Sequence, residues 1–134
     1  IIFEDDIQFD DETLSKLNTF INNIPNDFDI CQIWHHIRFN KKRLQSKYNL
    51  DNKYIMKGYP QDGTVGYIIS KNGANKLLNN IIPMNTAIDE LIKQQIIKKN
   101  ITAYCPIDDI IYMPFNISST IRIRNNNNKI IQKF

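Results

Sequence analysis

The chain opens with an apolar triplet that leads directly into three adjacent acids, and this stretch constrains the fold more than any other. The first three residues, Ile-Ile-Phe, have high strand propensity, and Glu4, Asp5 and Asp6 follow without a spacer. The pattern predicts a buried strand that delivers acids to the edge of a sheet. Because side chains alternate along an extended chain, Glu4 and Asp6 should project to one face and Asp5 to the other.

Two carboxylates on the same face of a strand end repel each other unless a positive group lies between them. A hard divalent cation such as Mg²⁺ or Mn²⁺ fits this need, because it prefers oxygen ligands and often takes one or two carboxylates plus substrate phosphates. The alternative is a solvated acidic turn, in which Asp10 or Asp11 caps the helix that follows. The six residues alone leave both interpretations open.

The length and composition predict one globular domain. A chain of 134 residues buries roughly two thirds of its unfolded surface. The net charge is only +3, and the one basic cluster is Lys41-Lys42-Arg43, so a nucleic-acid partner has little support. Cys31 and Cys105 lie in apolar stretches without metal-ligand spacing, which predicts two small buried hydrophobic residues.

The sequence contains no run that predicts a membrane span or a signal peptide. No apolar stretch reaches the roughly 18 residues that a transmembrane helix needs, and the start lacks the charged and apolar regions of a leader. These features favour a cytoplasmic location. Because the chain has no initiator Met and its first residue already lies in a predicted strand, we expect it to be part of a longer protein.

Apolar residues at helical spacing predict three helices. Asp10 or Asp11 would cap the first, Ser70 the second, and Asn85 or Thr86 the third. The residues predicted to face the core are Leu14, Leu17, Phe20, Ile21 and Ile24 in the first helix, Ala74, Leu77, Leu78 and Ile81 in the second, and Ile88, Leu91, Ile92 and Ile96 in the third.

Runs of β-favouring residues predict further strands at 28–34, 54–57, 67–69 and 101–105. A strand, a helix and a second strand form the unit of a parallel sheet, so we expect a parallel arrangement. The polar and basic stretch 38–53 has no period and predicts a long surface loop. The residues 122–134 are polar and predict a frayed tail.

The order of these motifs resembles glycosyltransferase family 25. The resemblance is carried by Glu4-Asp5-Asp6, by Asp-Ile-Cys-Gln-Ile-Trp at 29–34, by the Gly-Thr-x-Gly-Tyr-Ile-Ile-Ser block at 63–70 and by Ile88-Asp89-Glu90. It extends over 1–121 and closes on Ser118-Ser119. The family includes bacterial lipopolysaccharide galactosyltransferases and procollagen galactosyltransferases.

The resemblance implies an α/β fold of the GT-A type, with a mixed, mostly parallel sheet flanked by helices. The N-terminal part of the family domain has no counterpart in this chain. The implied activity is the metal-dependent, inverting transfer of a hexose, galactose or glucose, from a UDP-sugar to a glycan or hydroxylysine-type acceptor. An inactive remnant of such an enzyme that serves as a binding module is the alternative.

The same resemblance implies roles for individual residues. Asp6, with Glu4, would hold Mn²⁺ or Mg²⁺ on the donor diphosphate. The donor itself would contact a set that spans the acidic motif and the Gly-Thr block, namely Glu4, Asp5, Thr64, Gly66 and Tyr67. Enzymes of this fold often use a late histidine as a further metal ligand, whereas His35 and His36 lie early in this chain; either would supply a metal ligand or fill a structural role.

Inverting transfer needs a base to take the proton from the attacking hydroxyl, and a carboxylate within about 3 Å of that oxygen serves. Asp89 matches the second acidic position of the family, so the resemblance assigns it as the base, with Glu90 as the alternative. Without the resemblance, both acids are explained by the dipole of a helix N-terminus.

A strand followed by Glu-Asp-Asp also occurs in response-regulator receiver domains, where the acids hold Mg²⁺ beside a phosphorylated aspartate. That class requires an aspartate at the end of the second strand. Here Ile33-Trp34 leads to His35, so the phosphoacceptor is missing and the sequence disfavours a receiver.

Overall fold

The fold is taken from a computed structural model, which describes residues 1–35, 54–57 and 60–113 and the backbone of 122–124 and 130–132. Several features of the sequence analysis lie outside these residues. They are the predicted loop 38–53 with its basic cluster, His36, and the serine pair 118–119.

The described residues form three helices and seven short strands. The strands are β1 (Ile2–Phe3), β2 (Ile30–Gln32), β3 (Ile55–Lys57), β4 (Gly66–Ile69), β5 (Ala103–Pro106), β6 (Arg122–Arg124) and β7 (Ile130–Gln132). The helices are α1 (Thr13–Asn23), α2 (Lys71–Ile81) and α3 (Ile88–Ile97). The strands β6 and β7 pair with each other in a region for which the sequence predicts only a tail.

The first five strands form one mixed sheet in the order β1-β4-β2-β5-β3. Only β2 and β5 pair in parallel, and the other three pairings are antiparallel. The α/β class is confirmed, but the prediction of a mostly parallel sheet is wrong. The reason is that β4 inserts between β1 and β2 and pairs antiparallel with both. The two strands of the predicted strand-helix-strand unit, β1 and β2, therefore run in the same direction but do not pair with each other.

The prediction that the first strand is buried is also wrong. Ile1, Ile2 and Phe3 are 57%, 46% and 39% exposed, because β1 is an edge strand whose partner within the five-stranded sheet is β4. Strand propensity indicates an extended chain, but it does not distinguish an edge strand from a central one.

Helix α1 covers one face of the sheet. Its buried side is formed by Thr13 and Phe20, with Leu17 and Ile24 packed against the same core. Leu14 and Ile21, which the apolar pattern also assigned to the core, are 69% and 43% exposed. Their positions fall outside the 13, 17, 20, 24 stripe. Thr13 is buried, and its hydroxyl donates to Asp10 Oδ1 at 2.9 Å.

Helices α2 and α3 cover the opposite face with a second core around Leu77, Ile81, Leu91, Ile92 and Ile96. The predicted cap of α2 is confirmed, since Ser70 Oγ accepts from the Gly73 amide at 2.9 Å. Three details differ. Leu78 and Ile88 are 55% and 37% exposed, and α3 begins after Ala87 without a side-chain cap from Asn85 or Thr86.

Both cysteines are buried, as predicted. Cys31 and Cys105 are 0% and 1% exposed, and burial raises the pKa of the Cys31 thiol to about 12 and that of Cys105 further still. Within the described part of the chain, no helix has the length and apolarity needed to cross a membrane.

Helix α2 packs closely against the main chain of the segment that precedes β2. A Cβ on Gly73 would overlap the carbonyl oxygen of Asp29, and that oxygen already accepts from the Ser70 amide at 3.0 Å. We therefore expect Gly73→Ala to destabilise the fold by about 1–3 kcal/mol, because backbone atoms cannot yield as side chains do. Chemical denaturation measures the effect, and the exposed neighbour Asn75→Ala is the control.

An equal stability for Gly73→Ala and Asn75→Ala would show that the helix has room to shift and would contradict this prediction.

Candidate active site

Several of the candidate functional segments lie at one end of the strands of the sheet. Strands β1, β2 and β5 run in the same direction, and β3 and β4 run against them. The carboxyl ends of β1, β2 and β5 therefore lie at the edge where β3 and β4 begin. The segments that meet there are the acidic motif 4–6, residues 33–35, the turn 61–65 and residues 107–109.

The acidic motif contacts the turn before β4 through two bonds. The Glu4 amide donates to the Val65 carbonyl at 2.9 Å, and the Thr64 hydroxyl donates to Glu4 Oε1 at 2.7 Å. Two residues assigned to donor binding, 60 positions apart in the chain, are thus in direct contact. Asp5 is exposed beside them.

Asp6 is half-buried, and one oxygen of its carboxylate is a candidate metal ligand. Its Oδ1 is fully buried and has no hydrogen-bond partner among the described residues. Burying a carboxylate oxygen without a partner costs free energy, and native structures rarely tolerate it without a reason. In the described residues, no three His, Cys, Asp or Glu side chains converge as a ready cation cage. The Asp6 oxygen suits a cation that takes one or two protein carboxylates and completes its shell with phosphate and water.

The turn before β4 is built around Gly63. Its φ of +88° favours glycine, and a Cβ there would lie 2.6 Å from Cζ2 of Trp34. The Gly63 amide donates to Asp89 Oδ2 at 3.0 Å, and Gln61 Nε2 donates to the Trp34 carbonyl at 2.7 Å. The turn is therefore fixed against both the end of β2 and the start of α3.

Asp89 and Glu90 lie in the first turn of α3, as the sequence predicts. Besides the Gly63 amide, Asp89 accepts from the Glu90 amide through Oδ1 at 2.9 Å. Glu90 instead pairs with Lys93 Nζ at 2.9 Å, and this lysine also reaches Asp62 Oδ1 at 2.7 Å. The hydrogen bond from Lys93 lowers the pKa of Glu90. Asp89 thus faces the turn, while Glu90 is engaged by a lysine.

The two remaining donor-binding candidates lie in the sheet. Gly66 is buried between Ile111, Phe3 and Ile33, and a Cβ would overlap the Ile111 side chain. Tyr67 is half-buried and packs on the core under α2 and α3. The close contacts at Gly66 are made by protein side chains, and the donor roles of both residues stay predictions.

His35 joins the ends of β2 and β5. Its Nδ1 lies 2.6 Å from Asp109 Oδ1, and its Nε2 lies 2.8 Å from the Pro106 carbonyl. The carbonyl only accepts, so Nε2 carries a proton in this arrangement. Both ring nitrogens have protein partners, which favours the structural role for His35 over the metal role.

Sequence reasoning missed three residues that connect the segments at this edge. Gln61 and Lys93 hold the turn 61–65, and Asp109 bonds to His35. None has a motif of its own, and their partners lie 27, 31 and 74 positions away. The one local signal was Asp62-Gly63, a dipeptide typical of tight turns.

One of the comparisons with known proteins found a match. Residues 1–92 match the family model described as glycosyltransferase family 25 (LPS biosynthesis protein). This range contains the acidic motif, the Gly63 turn and the Asp89-Glu90 pair. No curated protein and no solved structure matches the chain.

Proposed function

Because the chain belongs to glycosyltransferase family 25, we propose that it transfers a hexose, galactose or glucose, from a UDP-sugar to a glycan or hydroxylysine-type acceptor. The proposal includes a GT-A type arrangement, in which the nucleotide-sugar lies across the carboxyl ends of the strands. Lipopolysaccharide sugars and collagen hydroxylysine are both acceptors of the proposed class.

The observation that carries the proposal is the convergence of three distant segments at one sheet edge. Glu4 contacts Thr64 at 2.7 Å, and the adjacent Gly63 contacts Asp89 at 3.0 Å. Acids, a hydroxyl and a tight turn fixed by protein contacts form a preorganised polar surface of the kind that orients a substrate. Glu4, Asp5 and Thr64 are the groups that we propose to contact the donor.

The metal of the proposal is Mn²⁺ or Mg²⁺, and Asp6 is its first ligand. The buried Oδ1 of Asp6, which has no hydrogen-bond partner in the described part of the chain, supports this choice. Glu4 is the second ligand. The hydrogen bond from Thr64 to its Oε1 orients the carboxylate, and both oxygens retain capacity for a further contact. When bound, the cation neutralises the charge that develops on the leaving diphosphate.

The base of the proposed inverting reaction is Asp89, with Glu90 as the alternative. Each oxygen of the Asp89 carboxylate accepts one backbone hydrogen bond, and each retains capacity to accept another. Asp89 would then take the proton of the acceptor hydroxyl while it holds the turn. Lys93 competes for Glu90, which makes Glu90 the weaker choice.

Isothermal titration of the whole chain with UDP in the presence of Mn²⁺ tests the proposal. We expect binding that requires the metal and that is lost in Asp6→Ala, because that variant removes the carboxylate proposed as the first metal ligand. Asp11→Ala is the matched control, since Asp11 is an exposed acid close in sequence and should bind as the wild type does.

Failure of the wild type to bind either UDP or Mn²⁺ would contradict the proposal and favour the alternative, an inactive remnant that serves as a binding module. Circular dichroism of each variant establishes that the fold is intact.

A further inference from the structure

Lys93 of helix α3 bridges an acid of the turn 61–65 and an acid of its own helix. Its ammonium group lies 2.7 Å from Asp62 Oδ1 and 2.9 Å from Glu90 Oε2. Asp62 lies 31 positions before Lys93 in the chain, so this contact joins two segments that meet only in the folded protein. The proposed function assigns no role to Lys93.

The bridge lies directly beside the contact that holds Asp89. Gly63, the residue after Asp62, donates its amide to Asp89 Oδ2 at 3.0 Å. Lys93 follows Asp89 by four positions, so the two side chains share one side of the helix. Two adjacent residues of the turn therefore contact the same side of α3, one through an ion pair and one through a hydrogen bond.

The ammonium group brings together parts of the chain that would otherwise repel each other. Asp62 and Glu90 contact the same nitrogen, so their carboxylates are close neighbours, and Asp89 adds a third acid on the helix. The hydrogen bond from Lys93 lowers the pKa of Glu90 and outweighs the charge of Asp62, which raises it. Without Lys93, like charges would push the acidic turn away from the acidic end of the helix.

Loss of this bridge should change the rate of a reaction at Asp89 more than the stability of the fold. The side chains of Lys93, Asp62 and Glu90 are 28%, 52% and 40% exposed, and exposed ion pairs add little to stability. By contrast, a displacement of about 1 Å at the reacting groups can lower a rate about 10²-fold.

We infer that Lys93 is a positioning residue for Asp89, because it neutralises Asp62 and thereby keeps the Gly63 amide on the Asp89 carboxylate. The effect on hexose transfer rests on the proposed function, in which Asp89 is the base. The hold of Lys93 on the turn rests on the contacts alone and is measured separately.

The test compares Lys93→Met, which removes the charge and keeps the length of the side chain, with Lys98→Met, which changes an exposed lysine directly after the same helix. We expect Lys93→Met to lower kcat and to speed hydrogen exchange of the Gly63 amide, each by about tenfold or more. The KM for UDP-galactose or UDP-glucose should change less than about twofold, because Thr64 still donates to Glu4. Lys98→Met should match the wild type in all three measurements.

The double variant Asp62→Asn/Lys93→Met separates charge from packing. Asparagine removes the repelling charge and keeps a side-chain carbonyl, so we expect most of the lost kcat and of the Gly63 protection to return. A loss that persists in the double variant would overturn the inference, because repulsion would not be its cause.

The inference would also be overturned if Lys93→Met and Lys98→Met showed equal kcat and equal Gly63 exchange, or if exchange alone changed while kcat stayed at the wild-type value. The first result would mean that the other contacts of the turn suffice to hold it. A wild type that transfers no hexose, with Gly63 exchange faster in Lys93→Met only, would reject the proposed function and keep Lys93 as the residue that holds the turn on α3.

Discussion

Asp89→Asn is expected to lower kcat for hexose transfer by about 10²–10⁴-fold, the usual contribution of a general base. The asparagine carbonyl can still accept from the Gly63 amide, which the aspartate accepts at 3.0 Å. The variant therefore removes the proton acceptor and keeps the turn. The measurement is release of UDP from UDP-galactose and UDP-glucose with the acceptor that gives the highest wild-type rate.

Asp89→Ala is the comparison that separates catalysis from positioning, because it removes both the base and the bond to Gly63. We expect it to be as slow as Asp89→Asn and, in addition, to lose the protection of the Gly63 amide from hydrogen exchange. A result in which Asp89→Asn is nearly as fast as the wild type while Asp89→Ala is inactive would assign Asp89 a purely positioning role.

Glu90→Gln completes the series. Because Lys93 engages Glu90 and lowers its pKa, we expect this variant to keep most of the wild-type kcat. A loss as large as that of Asp89→Asn, with the turn intact, would instead move the base to Glu90.

The sequence was sufficient for those parts of the fold that local chemistry determines. Ser70 was identified as a cap because its hydroxyl needs only the amide three residues on, and Asp89-Glu90 fell in the first turn of α3 as the apolar spacing required. The family followed from the order of motifs.

The direction and order of the strands could not be obtained in the same way. The insertion of β4 between β1 and β2 is a long-range pairing, in which Tyr67 lies opposite both Ile2 and Gln32. No local pattern encodes it. The exposure of Leu14 on α1 has a similar origin. Leu14 lies beside the buried face of the helix, and whether such a residue is buried depends on how the helix is placed on the sheet, which the local sequence does not determine.

The second large effect is expected far from the active site, at Asp29. Its side chain is 1% exposed, and its two carboxylate oxygens accept from Asn72 at 2.9 Å, Lys76 at 2.6 Å and the Thr102 amide at 2.8 Å. One carboxylate thus joins the segment before β2 to α2 and to the beginning of β5. Lys76 is 40% exposed and can regain water, so the loss comes mainly from the hydrogen bonds that the buried carboxylate accepts, each worth about 1.5–3 kcal/mol. We therefore expect Asp29→Ala to lose about 3 kcal/mol or more of the free energy of unfolding.

The pH dependence of stability provides an independent test of this network. Burial would raise the pKa of Asp29, but the hydrogen bonds from Lys76 and Thr102 outweigh it and hold the pKa below its ordinary value. A carboxylate whose pKa is lower in the folded state stabilises the fold above its unfolded pKa of about 3.9 and loses that contribution as the pH falls through the folded pKa. Wild-type stability should therefore fall below about pH 4 more steeply than that of Asp29→Asn.

Asp27→Asn is the matched control for these measurements. Asp27 also pairs with a lysine, Lys57 at 3.5 Å, but its side chain is 58% exposed, and exposed pairs contribute at most about 1 kcal/mol. Denaturation at pH 7 should thus give a large loss for Asp29→Ala and a small one for Asp27→Asn, and the loss for Asp29→Ala should be smaller at pH 3 than at pH 7. Similar losses at the two positions would mean that water or a local shift replaces the Asp29 contacts, and that α2 is held to the sheet by its apolar face alone.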